Sequence, residues 1–185
     1  MLLQGIHHQE LLQSLKNVSL SATSWLKANT RFQSIMGSIL AVTHPGQYKA
    51  GIEMLKILKD NSGLPRESKE ITKVVDSWCT PFSGVSVICN RETPLHKYIY
   101  GRHDWYHILA TMGTHPPANF GLPGLQITFS YSPRTVVALC GQISHTAGSS
   151  DHGDRACFAW YMREDVREYL DVVPGAAATL TELIS

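Results

Sequence analysis

Leu125-Gln126-Ile127-Thr128-Phe129-Ser130-Tyr131 alternates apolar and polar side chains at every step. A period of two marks a strand with one face toward a core. The same period runs through Val85, Val87 and Cys89, with Ser86 and Ile88 between them. Thr135 to Cys140 and Arg155 to Met162 are two further strand candidates, rich in β-branched or aromatic residues. Turn residues separate these stretches: Gly121-Leu122-Pro123-Gly124, Ser132-Pro133, and the run from Gly148 to Gly153. Several short strands with such punctuation predict a sandwich or jelly roll.

Upstream the period lengthens. Tyr48, Ile52, Leu55 and Leu58 recur at three- and four-residue steps, with Lys49, Glu53, Lys56 and Lys59 on the other faces. That spacing predicts a helix from Gly46 to Asn61. Pro45 stands before it, where a missing N–H costs little, and Asn61-Ser62-Gly63 stops it. Thr23 to Val42 also reads as one helix, with Trp25, Phe32, Ile35, Met36 and Ile39 as its apolar side. Glu67 to Trp78 reads as a shorter one. The expected architecture is α+β, with N-terminal helices packed on one face of a β-core. Residues 1–75 form the helical region, 76–170 the core and 171–185 a poorly anchored C-terminal tail.

The chain has 185 residues, enough to bury a sizeable core. Sixteen Lys and Arg against fifteen Asp and Glu leave a formal charge of +1, which excludes strong non-specific nucleic-acid binding by net charge alone. No apolar run approaches the roughly 18 residues of a membrane span. The start, Met1-Leu2-Leu3-Gln4-Gly5, lacks the pattern of a secretory leader. The 4 cysteines form no CxxC pair, so an intracellular compartment without disulfide-linked partners is expected. Three of them, Cys89, Cys140 and Cys157, lie in strand candidates and read as small apolar residues.

Of 9 histidines, those at 96, 103, 107, 115, 145 and 152 crowd the second half. His103-Asp104-Trp105-Tyr106-His107 looks like a zinc-protease helix motif with Asp for Glu. Gly101 before it, and Gly113 and Pro116 after it, argue against the helix it needs. A third ligand ten residues beyond His103 would fall on Gly113, which has no side chain.

A better constellation is His96, His145 and Arg155. A non-heme iron oxygenase takes two imidazoles and one carboxylate on one face of the metal. It also needs a cation, commonly Arg, for the distal carboxylate of 2-oxoglutarate. In a jelly roll the first histidine follows an early strand. The second lies on a late strand, and the arginine stands about ten residues on. These three residues keep that order, although three unrelated polar residues could do so too.

The run from Trp78 to His96, WCTPFSGVSVICNRETPLH, resembles fungal members of the TET/JBP group of Fe(II)- and 2-oxoglutarate-dependent oxygenases. Those are the large basidiomycete families. Gly101-Arg102-His103-Asp104-Trp105-Tyr106, Gly153 to Arg163 and His44 to Gly51 are similar too. The likeness spans about residues 40–168. Asn90-Arg91-Glu92-Thr93-Pro94-Leu95-His96 is its distinctive part.

The resemblance implies a double-stranded β-helix with flanking helices. It implies oxidation of a methyl group on a DNA base, 5-methylcytosine or N6-methyladenine, flipped out of the duplex. Fe(II) and 2-oxoglutarate would be the cofactors, methylated DNA the partner and the nucleus the setting. His96 would be the proximal metal ligand, His145 the distal one and Arg155 the 2-oxoglutarate anchor. Asn90 and Arg91 would line the substrate entrance.

One position departs from the family. His-x-Asp is His96-Lys97-Tyr98 here, so the ligand aspartate is replaced by Tyr98. A phenol with an ordinary pKa of about 10 stays neutral and ligates Fe(II) poorly. Three readings remain open: a working or weakened DNA oxygenase, a non-catalytic copy that keeps the fold, and a jelly-roll binding module for another ligand.

Overall fold

The computed structural model describes residues 20–60, 74–148 and 152–177. Eight strands form two antiparallel four-stranded sheets. They are β1 (Gly84–Cys89), β2 (Thr93–His96), β3 (Tyr106–Gly113), β4 (Ala118–Leu122), β5 (Ile127–Tyr131), β6 (Val136–Cys140), β7 (His145–Ala147) and β8 (Arg155–Tyr161). One sheet has the order β1-β8-β3-β6 and the other β2-β7-β4-β5. Strands that alternate between two facing sheets make a double-stranded β-helix, a jelly roll. Helices α1 (Leu20–Ala28), α2 (Thr30–Thr43) and α3 (Pro45–Lys59) precede it, and α4 (Glu164–Tyr169) follows. The protein is α+β, as the two periods predict.

The stretch expected as one helix from Thr23 to Val42 is two. Asn29 divides it: its amide N–H and its side-chain Nδ2 both donate to the Trp25 carbonyl. Asn competes for backbone groups in this way and favours helix ends over helix interiors. His44 separates α2 from α3. Its Nδ1 accepts from the Gln47 amide at 3.1 Å, so it caps α3, and Pro45 occupies the first turn. Within the Glu67 to Trp78 expectation residues 74–78 are described, of which 74–77 are helical and Trp78 is not; residues 67–73 lie outside the described residues.

β8 shows how the layers form. Phe158 and Trp160 pack with Met36 and Leu40 of α2, Ile108 and Ala110 of β3, and Phe82. Cys157 and Ala159 face the other way, toward Leu109, Phe120, Tyr131 and Leu139 between the sheets. The strand thus alternates between a helix-covered outer face and the barrel interior. By the same alternation Arg155 and Tyr161 share the face of Cys157 and Ala159, and Ala156 that of Phe158 and Trp160. α3 settles closely on the same side. A Cβ at Gly51 would stand 2.3 Å from the Pro81 carbonyl oxygen, so the helix reaches that depth only without a side chain there.

Four expectations need correction. Leu125 belongs to a single 3-10 turn (Pro123–Leu125) and Ile127 starts an edge strand; both are exposed, and only Phe129 and Tyr131 reach the core. On β1 it is Ile88 that faces the interior, while Val87 is exposed, because the helices cover only part of that edge strand. Cys157 is buried, whereas Cys89 and Cys79 are exposed and Cys140 half-buried, so the apolar role fits Cys157 alone. The start of the C-terminal segment is anchored: Leu170 and Val172 pack with Ala50, Met54, Trp105 and Met162. The Arg167 guanidinium donates to the Val172 carbonyl at 2.7 Å.

Candidate functional site

β2 and β7 pair so that His96 lies opposite His145. Between Thr93 and His96 the register slips by one residue, a bulge that contains Pro94. Proline has no N–H for a ladder, and a bulge re-aims the next side chain. The outcome is two imidazoles with centroids 4.3 Å apart, tilted by 57°.

Both rings are held by the same local device. His96 Nδ1 lies 2.9 Å from the carbonyl oxygen of Pro94, and His145 Nδ1 lies 2.9 Å from that of Ile143. A carbonyl only accepts, so each Nδ1 carries the proton and each Nε2 keeps its lone pair. Backbone bonds of this kind orient imidazoles that ligate metals. His145 is buried and stacks on Phe120 at 5.6 Å and 10°. His96 is on the exposed rim of β2, so the pair sits at the barrel mouth. Burial pushes the His145 pKa below its ordinary value, and the neighbouring His96 adds to the shift.

Among the described residues no third His, Cys, Asp or Glu joins the pair into a group able to hold a metal ion. Asp104, six residues beyond Tyr98, is tied to Arg102 at 3.0 Å. Tyr98 instead packs its ring on His107 at 4.6 Å and on Tyr161 at 5.1 Å. Burial, and next the neighbouring Tyr161, raise its pKa well above that of a free phenol. It is therefore a neutral side chain in an aromatic cluster at neutral pH. His107 is part of this cluster. Its ring lies where a Cβ on Gly141 would be only 2.4 Å away. His103 and His107, the ends of the zinc-protease-like run, are not on a helix: Tyr106 begins β3.

Arg155 opens β8 on the interior face and is 2% exposed. Its guanidinium donates to the Gly148 carbonyl through Nη1 and to the Arg91 carbonyl, at 3.0 Å, through Nη2. Among the described residues no carboxylate lies within ion-pair distance of it; the adjacent Asp154 accepts from Asn90 at 3.1 Å instead. A buried cation held by carbonyl dipoles alone retains an unbalanced charge that an anion would offset. Its positive charge reaches Tyr131 and Cys157, whose hydroxyl and thiol lie 3.3 Å apart. Tyr131 packs on Phe120 at 5.2 Å, and Phe120 stacks on His145. Tyr131, Phe120 and His145 thus form one interior row of rings.

Asn90 and Arg91 stand at the end of β1. Asn90 spends its side chain on Arg155 and Asp154, and Arg91 contributes its carbonyl to the same guanidinium. Phe120, Tyr131 and the cluster-forming role of His107 were not apparent from sequence. Phe120 lies in a short strand with a glycine and no alternation, which gives no periodic signal.

The family model Tet_JBP, the oxygenase domain of the 2OGFeDO superfamily, matches residues 12–164. The chain belongs to the Tet_JBP family. No curated protein matches it. Among solved structures, this Tet_JBP domain is similar to an RmlC-like cupin protein from Desulfovibrio desulfuricans, at TM-score 0.31 and 9% identity, over 41% of this chain and 71% of that one. It is also similar to the polyketide cyclase RemF from Streptomyces resistomycificus, at TM-score 0.29 and 17% identity, over 53% and 63%. A third is ectoine synthase from P. lautus, at TM-score 0.30 and 17% identity, over 52% and 70%. None of these likenesses bears on chemistry.

Membership of the superfamily implies Fe(II) and 2-oxoglutarate in general. The histidine pair suits a divalent metal, since both Nε2 atoms keep their lone pairs. The third donor does not: the residue two beyond His96 is a half-buried, neutral phenol turned into an aromatic cluster. The donors of this Tet_JBP domain do not fit a triad of two imidazoles and one carboxylate.

Proposed function

We propose that this domain engages methylated bases in DNA, 5-methylcytosine or N6-methyladenine, and that their oxidation is weak or lost. The family supplies the substrate class of this proposal. In it His96 and His145 are the metal-facing imidazoles and Arg155 is the anchor for the distal carboxylate of 2-oxoglutarate. Arg91, and Lys97 next to His96 in the chain, are exposed and suit phosphate contacts flanking a flipped base. A nuclear setting and a fungal source accompany this reading.

The observation that carries the loss of activity is Tyr98. Deprotonating a free phenol near pH 7 costs about 4 kcal/mol, and burial adds to that here. Two neutral imidazoles leave a divalent ion short of both a bond and a balancing charge. Fe(II) uptake by anaerobic titration and succinate formation test the proposal. The unmodified protein should take up little Fe(II) and turn over no 2-oxoglutarate. Tyr98→Asp should raise Fe(II) affinity by about tenfold or more. Robust turnover by the unmodified protein, unchanged or impaired by Tyr98→Asp, would sink the proposal and make Tyr98 a ligand or substrate contact.

The same absence of a third donor favours a second reading, a non-catalytic jelly-roll module that binds DNA. Its mark is binding of methylated over unmethylated duplex that persists in chelator and in Tyr98→Asp alike.

A further inference from the structure

We infer that Asn90 is a positioning residue for the Arg155 guanidinium; its consequence for ligand affinity rests on the reading of Arg155 as a carboxylate anchor. β1 and β8 pair regularly up to Cys89 opposite Ala156. Asn90 would come next, opposite Arg155. At a hydrogen-bonded position of an antiparallel ladder the two opposite residues exchange both main-chain N–H···O bonds. Here only half of that exchange survives: the Asn90 amide donates to the Arg155 carbonyl at 2.9 Å. The Arg155 amide donates to Asn90 Oδ1, at 2.6 Å, instead of to the Asn90 main-chain carbonyl.

That substitution frees the main chain to turn. Asn90 adopts φ +48°, the left-handed region that Asn tolerates better than most residues. The turn brings the carbonyl of the next residue, Arg91, onto Arg155 Nη2 at 3.0 Å. The far end of the Asn90 amide, Nδ2, is braced by Asp154 at 3.1 Å. One side chain therefore replaces a ladder acceptor, sets the turn and aims an acceptor at the guanidinium. Both ends of the amide are thereby engaged by residues 154 and 155.

Three replacements separate the acceptor from the turn. Asn90→Gly keeps a left-handed φ at no steric penalty but removes Oδ1. Asn90→Ala removes both advantages. Asn90→Asp made together with Asp154→Asn keeps an acceptor for the Arg155 amide and reverses the bond to residue 154. The readout is guanidinium NMR of ¹⁵N-arginine protein, with the Arg155 signals assigned by their loss in Arg155→Lys. The unmodified protein should show hindered Nη rotation. Asn90→Gly and Asn90→Ala should both collapse it, and the exchanged pair should restore it.

Calorimetry with 2-oxoglutarate should follow the same series, with a loss of about tenfold in the Gly and Ala variants. Asn90→Gly behaving like the unmodified protein, or no recovery in the exchanged pair, overturns the inference, since the turn alone or another contact would then hold Arg155. An unmodified protein with hindered Nη rotation but no 2-oxoglutarate binding overturns the anchor reading, while the NMR series still decides the role of Asn90.

Discussion

At His107 burial decides the protonation state. The imidazole is 6% exposed, and burial, then the charges of His145 and His96, bring its pKa down to about 4. Tyr98 and Tyr161 also face it, and neither is a carboxylate that could hold the proton. In the unfolded chain the same group titrates near 6.5. Between the two values the unfolded chain binds more protons, so acidification favours unfolding. The contribution is whole above 6.5 and fades as pH falls toward 4, by up to about 3 kcal/mol. His145, depressed in the same direction, adds to the slope. Denaturation midpoints between pH 7 and 4 should fall steadily, and His107→Phe should flatten that fall. An unchanged slope in His107→Phe would assign the acid sensitivity to other groups.

At the scale of elements, one amide clamps helix to sheet. Gln47 of α3 is fully buried; its Nε2 donates to the Tyr106 carbonyl at 2.9 Å and its Oε1 accepts from the Tyr106 amide at 2.8 Å. It acts as a one-residue strand partner at the start of β3. His44 supports the same junction by donating from Nε2 to the Asp104 carbonyl at 2.9 Å. Gln47→Ala would leave both main-chain groups of Tyr106 without these partners. A buried group left so costs about 1–3 kcal/mol. Urea denaturation should show Gln47→Ala destabilised by at least that much, with the histidine pair at the opposite sheet retained. A neutral effect would mean that water replaces both bonds.

At the scale of the whole molecule, the helices, the sheet β1-β8-β3-β6 and the sheet β2-β7-β4-β5 form three layers with two apolar seams. A third cluster closes the helix side, where the chain after α4 returns to α3 and buries Leu170 and Val172. Truncating a buried Leu removes its transfer energy and leaves a cavity. Leu170→Ala should therefore destabilise the fold by about 2–5 kcal/mol in chemical denaturation. It should leave any affinity of Arg155 for 2-oxoglutarate unchanged, because the two lie in different seams. A stability loss below about 1 kcal/mol would mean that the C-terminal segment contributes little to the fold.

The sequence by itself determined what local periodicity and side-chain chemistry encode. The three-four spacing of Tyr48, Ile52, Leu55 and Leu58 made α3 legible, alternation made β1 and β5 legible, and β-branched and aromatic content did the same for β6 and β8. The order of His96, His145 and Arg155, together with the family resemblance that expects an acid where Tyr98 stands, marked the candidate site before any fold was known. β3 escaped because it is buried on both faces over His107–Thr111, which erases the alternation. β2, β4 and β7 are only 4, 5 and 3 residues long, too short for a period to show. Tertiary structure alone decided the rest. The bulge at Pro94 and the β2–β7 pairing turn two histidines 49 residues apart in the chain (145 − 96 = 49) into one pair. The end of the β1–β8 ladder turns Asn90 toward Arg155. Both depend on long-range strand register, and register is set by which faces are buried together, a property of the assembled sheets that no local stretch contains.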